Sequence, residues 1–418
     1  MYHFEEISGG GVASAQGFKA SGVAAAIKYE GRKDVAMVAA DAPCAVAGMF
    51  TTNQVAAAPV VLDRERVKTG VARAVLLNSG CANACTGEQG LADARESARV
   101  VAEALAEYFS NGGRASSRAV IPEEHILVCS TGVIGAHLPM DRMAAGAKMA
   151  VAALSPDGGP DAARAIMTTD LVPKEAALAL EIDGRRVVVG GMCKGSGMIE
   201  PRMATMLAVV TTDAAVAPAA LDAALRPAVE TTFNRVVVDG DQSTNDTILM
   251  FASGVAGNAE LTPSHPRWPE FCAAVRGVCD RLARMVAMDG EGATKFVTVR
   301  VTGAATARDA QLAARAIAKS PLVKTSWFGR DLNFGRVICA AGYSGARVDD
   351  QKARIFYGPV LVYDRGNDAC ADRAAAKAVM DARAFDVTLD LDLGDGEDTV
   401  YTCDLSYDYV KINGDYTT

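Results

Sequence analysis

Short Val/Ala-rich runs bounded by turn residues alternate with long Ala/Glu-rich stretches along the whole chain. Residues 22–29, 34–40, 45–50 and 71–77 read as strands of this kind. Residues 91–108 carry a helix pattern, with Asn111-Gly112-Gly113 as its stop. A short buried strand is expected at 126–129, and helices at 140–153 and 161–167. The runs 176–182 and 185–189 flank Asp183-Gly184, a favourable pair for a tight hairpin turn. The second half predicts helices at 218–230, 268–287, 309–318 and 371–382. It predicts strands at 247–252, 296–301, 338–341, 360–363, 385–391 and 399–405, and 404–412 also reads as strand. Interleaved strands and helices with recurring hairpins favour an α/β (α+β) chain of stacked mixed or antiparallel sheets with helical layers, rather than a doubly wound parallel sheet.

The 418 residues suffice for two domains or one large one. Aromatic residues are only 6%, so the core is expected to be built of small, tightly packed side chains. A net charge of −8 argues against nucleic acid or an anionic membrane as the main partner. No apolar run approaches the roughly 18 residues of a membrane span, and the first residues are acidic without an apolar targeting core. The ten cysteines are sparse. Cys81/Cys85 and Cys272/Cys279 have loose spacings without matching histidines, so no metal site and no disulfide framework is expected. Reduced thiols in a cytoplasmic protein are the default. With four histidines and no Gly-x-Ser-x-Gly elbow, any acyl chemistry is expected to proceed without a histidine base.

The centre of the chain offers an alternative base. A glycine-rich loop, Lys194-Gly195-Ser196-Gly197-Met198-Ile199-Glu200-Pro201-Arg202-Met203, leads to Ala204-Thr205 and then an apolar run, Met206 to Val210. Glycines permit a strained, close-approaching backbone, and Pro201 fixes the approach to the bond. Attack of Thr205 Oγ on the Ala204 carbonyl would give an ester, and its hydrolysis would free an N-terminal threonine. The new α-amino group, with a pKa near ~7.7–8.0, would be a suitable base at neutral pH. The plain alternative is a glycine-rich connector before a core strand. A phosphate cradle is a third reading, without the Gly-x-x-x-x-Gly-Lys-Ser/Thr pattern that would support it.

The segment closely resembles the self-cleavage segment of the ornithine acetyltransferase family, glutamate N-acetyltransferases of the arginine pathway with an N-terminal threonine nucleophile. The resemblance runs nearly end to end. It includes Gly10-Gly11-Val12, Phe50-Thr51-Thr52-Asn53, Asn78-Ser79-Gly80, Ser130-Thr131-Gly132-Val133, Ile166-Met167-Thr168-Thr169-Asp170, Asp239-Gly240-Asp241 and Ser243-Thr244-Asn245-Asp246-Thr247. Asp289-Gly290-Glu291-Gly292, Ser320-Pro321-Leu322-Val323-Lys324 and Val410-Lys411-Ile412-Asn413 complete it. It implies an N-terminal-nucleophile-like αββα sandwich with a smaller C-terminal α/β lobe. It also implies cleavage between Ala204 and Thr205 into chains 1–204 and 205–418, which stay associated as an α2β2 heterotetramer.

By the same resemblance Thr205 is the nucleophile, and Thr131 and Gly132 form the oxyanion hole. Lys194, Thr168 or Thr169, Glu291, Asn413 and Thr418 are substrate contacts, Glu291 holding an ammonium. The implied reaction moves acetyl from N2-acetyl-L-ornithine to L-glutamate by a ping-pong acyl-threonine route. No metal or bound cofactor is needed, and acetyl-CoA stays open as a co-substrate. The partners are small-molecule substrates and the chain's own fragments, with neither nucleic acid nor membrane. Departures from the family pattern are Cys81 for the usual Asn, Leu332 and Phe334 within Asp331-Leu332-Asn333-Phe334-Gly335-Arg336, and Glu200 and Arg202 before the cut. These bear on efficiency and on donor or acceptor choice. Three other readings remain: a paralogue acetylating another amino acid, an N-terminal-nucleophile amidase or aminopeptidase with water as acceptor, and a non-enzymatic binding protein.

Overall fold

The structure is a computed structural model and describes residues 2–111, 120–200 and 206–415. It divides into two compact units. The first comprises Met1–Gly195, Arg202–Asn234 and Gln242–Leu282, and the second Ser196–Pro201, Arg235–Asp241 and Ala283–Thr418.

The first unit is built on one nine-stranded sheet. Its strands are β1 (Glu5–Glu6), β2 (Phe18–Val23), β3 (Val35–Phe50), β4 (Val71–Asn78), β5 (Ile126–Ser130), β6 (Lys174–Ile182), β7 (Arg185–Lys194), β8 (Leu207–Thr212) and, after β9 (Val236–Val237) of the second unit, β10 (Thr247–Ala252). The order is β1-β6-β7-β8-β10-β3-β4-β5, with β2 also on β3. The long strand β3 is the hinge of this sheet. Its first part, Val35 to Ala40, pairs with β2, and its last part, Ala45 to Phe50, pairs with β10. Between them the register against β4 shifts at exposed Asp41-Ala42-Pro43, where proline cannot donate to the ladder.

One apolar cluster then takes Ala36, Val38, Leu77 and Cys129 from one half of the sheet and Val188, Val209, Leu249 and Phe251 from the other. The intervening residues Val35, Met37 and Ala39 point the opposite way, as the two-residue period of a strand requires. They pack with residues of α2 (Gly87–Asn111) and α3 (Met140–Ala152), beside α1 (Ala58–Arg66). Beyond α4 (Gly159–Ala165) and α5 (Pro218–Glu230), helix α6 (Trp268–Met288) covers the outer side of β6 and β7. A side chain at Gly191 would meet Val278 and Leu282 of α6 at 3.3 and 3.1 Å. The arrangement is helix, sheet, sheet, helix, as expected. The Asp183-Gly184 hairpin is borne out too, with φ of 52° and 73° at the two positions.

The second, smaller unit carries its own mixed sheet, order β14-β13-β12-β15-β11-β16-β9. Its further strands are β11 (Phe296–Ala304), β12 (Arg354–Tyr357), β13 (Val360–Asp364), β14 (Asn367–Asp368), β15 (Ala384–Asp390) and β16 (Gly396–Cys403). Its helices are α7 (Ala307–Lys319), α8 (Pro321–Phe328), α9 (Phe334–Gly342), α10 (Arg373–Asp381) and α11 (Tyr407–Gly414). Trp327 is fully buried, donates Nε1–H to Tyr357 Oη at 3.3 Å and stands edge-on to Phe385.

Two expectations are corrected here. Residues 338–341, expected as strand, lie in α9, because Asn333 caps that helix by accepting the Arg336 N–H. A short apolar run does not by itself separate a strand from a helix turn. Residues 404–412 are not strand either: β16 ends at Cys403, and Ser406 caps α11 by accepting the Asp408 N–H at 3.2 Å.

Trp327→Ala should destabilise the second unit by ~3–5 kcal/mol, the usual effect of emptying a large aromatic site. Urea denaturation followed by circular dichroism should show an earlier transition for the variant.

Candidate active site

In the first unit, Thr131 and Gly132 follow directly on β5. Strand pairing sets Asn78, the end of β4, opposite Ser130, the end of β5. Ser130 Oγ donates to Asn78 Oδ1 at 2.7 Å, and the Thr131 N–H donates to the Asn78 carbonyl at 2.9 Å. Asn245 ties the same turn from another side, donating to the Ser130 and Ala82 carbonyls at 2.9 and 2.6 Å. Gly132 has φ +131°, and a Cβ there would sit 2.4 Å from the Gly80 carbonyl carbon. Only glycine fits this close backbone approach. The pair is thus held in one backbone geometry. Cys81, which departs from the family pattern, is buried beside it and donates its thiol to the Ala136 carbonyl at 3.2 Å.

Lys194, at the end of β7, is buried together with Asp170 and Lys174. Asp170 is the hub. Its carboxylate is 2.7 Å from Lys174 Nζ and 3.9 Å from Lys194 Nζ, and it accepts the N–H of Gly195 at 2.7 Å and of Thr168 at 3.0 Å. Burial alone would raise its pKa. The charges of Lys194 and Lys174, with the bonds from Lys174 and the Gly195 N–H, outweigh this and hold it at about 2. Of the two candidate threonines, Thr168 is joined to this hub, and Thr169 is half-buried beside it. A second buried carboxylate, Asp246, accepts the Met206 N–H at 2.8 Å. Its pKa is raised by burial, against the pull of that N–H and of the Lys194 charge.

In the second unit, Glu291 and Asn413 come together, Asn413 Nδ2 donating to Glu291 Oε2 at 2.7 Å. The Glu291 N–H donates to the Ser196 carbonyl at 3.0 Å, and a Cβ at Gly197 would stand 2.3 Å from the Glu291 carboxyl carbon. The glycine-rich segment therefore lies directly on this carboxylate, which a larger residue would push away. Asp239 grips the same segment, accepting the N–H of Met198 at 2.6 Å and of Ile199 at 2.8 Å. Glu200 is paired with Lys319 at 2.7 Å. Phe334 opens α9 and its ring packs 5.5 Å from that of Tyr363. The expected residues Ala204, Thr205 and Thr418, and the departure Arg202, lie outside the described residues.

Asp170, Asp239 and Asp246 stood in the quoted motifs but drew no role from the sequence. A signal was present for one of them: Lys174 follows Asp170 by four residues. Among the described residues no group of three or more His, Cys, Asp or Glu is placed to hold a metal ion, and no helix is long and apolar enough to cross a membrane.

The ArgJ family model matches residues 19–418, and the chain belongs to the ArgJ family. It is 52% identical to the arginine biosynthesis bifunctional protein ArgJ of Symbiobacterium thermophilum, over 98% of this chain and 99% of the relative. It is 49% identical to the protein of the same name from Geobacter sulfurreducens, over 96% and 99%. Among solved structures it is similar to the arginine biosynthesis bifunctional protein argJ of Bacillus halodurans, with 42% identity, TM-score 0.48, and coverage of 49% of this chain and 97% of that one.

Asp170→Ala would leave Lys174 and Lys194 buried without their shared carboxylate, a loss of ~3–5 kcal/mol. Because the folded pKa of Asp170 lies below the ordinary value of ~3.9, its stabilisation is complete above ~pH 4 and is lost as pH falls toward 2. Denaturation midpoints of wild type and variant should therefore differ at pH 6 and converge over that acid window.

Proposed function

We propose that the chain is a self-processing acetyltransferase of arginine biosynthesis that cuts itself between Ala204 and Thr205 and then moves acetyl from N2-acetyl-L-ornithine to L-glutamate. The family match over residues 19–418, with the Ala204-Thr205 pair intact inside it, carries this reading. Thr205 Oγ attacks the acetyl carbonyl carbon while the Thr205 α-amino group takes the hydroxyl proton. The proton passes to the departing amine, ornithine leaves, and an acetyl ester remains on Thr205. The amine of glutamate then attacks the ester, and the same steps in reverse free N-acetylglutamate and Thr205.

Each tetrahedral intermediate carries an oxyanion. The Thr131 hydroxyl and the Gly132 N–H, held where β5 ends beside the end of β4, are its donors, each worth ~3–4 kcal/mol. Lys194, beside Asp170, suits a substrate carboxylate. Glu291, held by Asn413, suits an ammonium. Thr168 or Thr169 and Thr418 complete the substrate contacts. No bound cofactor enters these steps, and acetyl-CoA is an additional donor to be assayed. The two chains stay together in a cytoplasmic α2β2 assembly.

Denaturing mass analysis of the purified wild type is expected to give two fragments, the second beginning at Thr205. Thr205→Ala should stay intact and transfer no acetyl. An intact wild-type chain that still transfers acetyl would overturn the mechanism. Ornithine release that does not depend on glutamate would instead identify an amidase. Gly132→Ala should cut transfer by ~10²–10³-fold in kcat, measured as N-acetylglutamate formation.

A further inference from the structure

Thr168 and Thr169 lie between α4 and β6, on no helix or strand. A turn of this kind takes its shape from the groups that bind its backbone N–H and carbonyls. Arg32, in the loop between β2 and β3, supplies donors. Its Nη2 donates to the Met167 carbonyl at 2.8 Å and to the Thr168 carbonyl at 2.9 Å. A terminal guanidinium nitrogen carries two hydrogens, one for each carbonyl. Asp170 supplies the acceptor, its Oδ2 taking the Thr168 N–H at 3.0 Å.

These three bonds act on two successive peptide planes. The Met167–Thr168 peptide is held at its carbonyl by Arg32 and at its N–H by Asp170. The Thr168–Thr169 peptide is held at its carbonyl by Arg32. Because peptide units are planar, fixing both planes sets φ and ψ of Thr168 and so the direction of its side chain. Asp170 also accepts the Gly195 N–H and lies 3.9 Å from Lys194, which ties the turn to the buried lysine. The loop that carries Arg32 is itself pinned. Asp34 accepts the N–H of Ala25 at 2.7 Å and of Ile27 at 2.6 Å, and its carbonyl accepts the Ser79 N–H at 2.9 Å. Ser79 precedes Gly80, the residue packed against Gly132. One loop therefore links the Thr168 turn to the strand end beside the Thr131-Gly132 pair.

We propose that Arg32 is a positioning residue for substrate binding: its guanidinium holds the turn so that the Thr168 hydroxyl meets the amino-acid substrate. Thr168 rather than Thr169 is the contact, because its own φ and ψ are the ones fixed. The proposal rests on the reading of this turn as a substrate contact.

Arg32→Ala is expected to raise KM for N2-acetyl-L-ornithine ~10-fold and to leave kcat within ~2-fold, the pattern of lost binding rather than lost chemistry. A merely structural role would lower the folded fraction, and with it the apparent kcat, without moving KM. Arg32→Lys keeps a cation with three donors and should bring KM back to within ~3-fold of wild type. Thr168→Ala should itself raise KM, and adding Arg32→Ala to it should raise KM less than ~2-fold further, since the two residues act through one contact. A wild-type KM in Arg32→Ala would overturn the proposal, as would an Arg32→Ala effect undiminished in the Thr168→Ala background, or a raised KM in Thr169→Ala alone. A wild-type KM in Thr168→Ala and Thr169→Ala alike would instead defeat the underlying reading of the turn. A crystal structure of the wild type with L-ornithine decides the matter even where Arg32→Ala does not fold. Thr168 Oγ1 should lie within ~3.2 Å of the ligand with Arg32 on both carbonyls, and an Arg32 released from either carbonyl overturns the proposal.

Discussion

Two buried carboxylates, Asp170 and Asp246, hold the ends of the connection between β7 and β8. Asp170 takes the Gly195 N–H as the chain leaves β7, and Asp246 takes the Met206 N–H as it enters β8. The strands are in register there, Lys194 opposite Leu207. Lys194 acts on both acids: it lowers the pKa of Asp170 and pulls against the burial that raises that of Asp246. Buried ionisable groups of this kind add little net stability, because desolvation offsets their attraction. What they confer is a fixed position for Gly195 and for Met206. If the connection presents one peptide bond for chemistry, as proposed, fixed ends serve it more than a few kcal/mol.

The second unit applies the same device to the segment before the bond. Asp239 holds Met198 and Ile199 by their N–H groups, and Ser196 donates Oγ to the Asp289 carbonyl at 2.7 Å. Met198 is kept at φ +58°, a conformation that a side chain adopts only when its surroundings enforce it. Bonds from N–H groups to carboxylates are among the stronger ones available. A glycine-rich segment, which would otherwise sample many conformations, is thereby confined by acids distant in sequence.

Much of this was legible in the sequence, and the boundary is physical. Stacked sheets with helical layers followed from periodicity, the αββα order from the family resemblance, and the alternation of Val35-Ala36-Met37-Val38 reports the two faces of β3 directly. The Asp183-Gly184 turn was legible because its positive φ values have few sequence solutions. Residues 338–341 were not, because the apolar run 337–341 fits strand and helix alike, and the cap that decides between them is a polar residue outside the run. The candidate site residues Thr131-Gly132 and Glu291 were named through the family resemblance, since alone they read as a strand-end turn and a surface acidic turn. The site was not legible at Asp170, Asp239 and Asp246, whose roles depend on backbone N–H groups 25, 41 and 40 residues away. Nothing in a local pattern announces such a partner.

The order of strands would let the chain, if cut as proposed, remain one protein. In the sequence β1-β6-β7-β8-β10-β3-β4-β5, strands β8 and β10 follow the proposed cut, whereas β7 on one side and β3 on the other precede it. The later fragment would thus lie inside the sheet of the earlier one, paired antiparallel with β7 from Leu207 to Thr212 and with β3 from Thr247 to Ala252. Releasing either fragment would break two full ladders and open the core that Val209, Leu249 and Phe251 share with Ala36, Val38 and Leu77. The same interleaving is why the compact units ignore residue 204, since Gln242–Leu282 stays with Met1–Gly195. Hydrolysis of one peptide bond in such a sheet removes a covalent tie at a point where the hydrogen bonds on both sides already hold the ends in place.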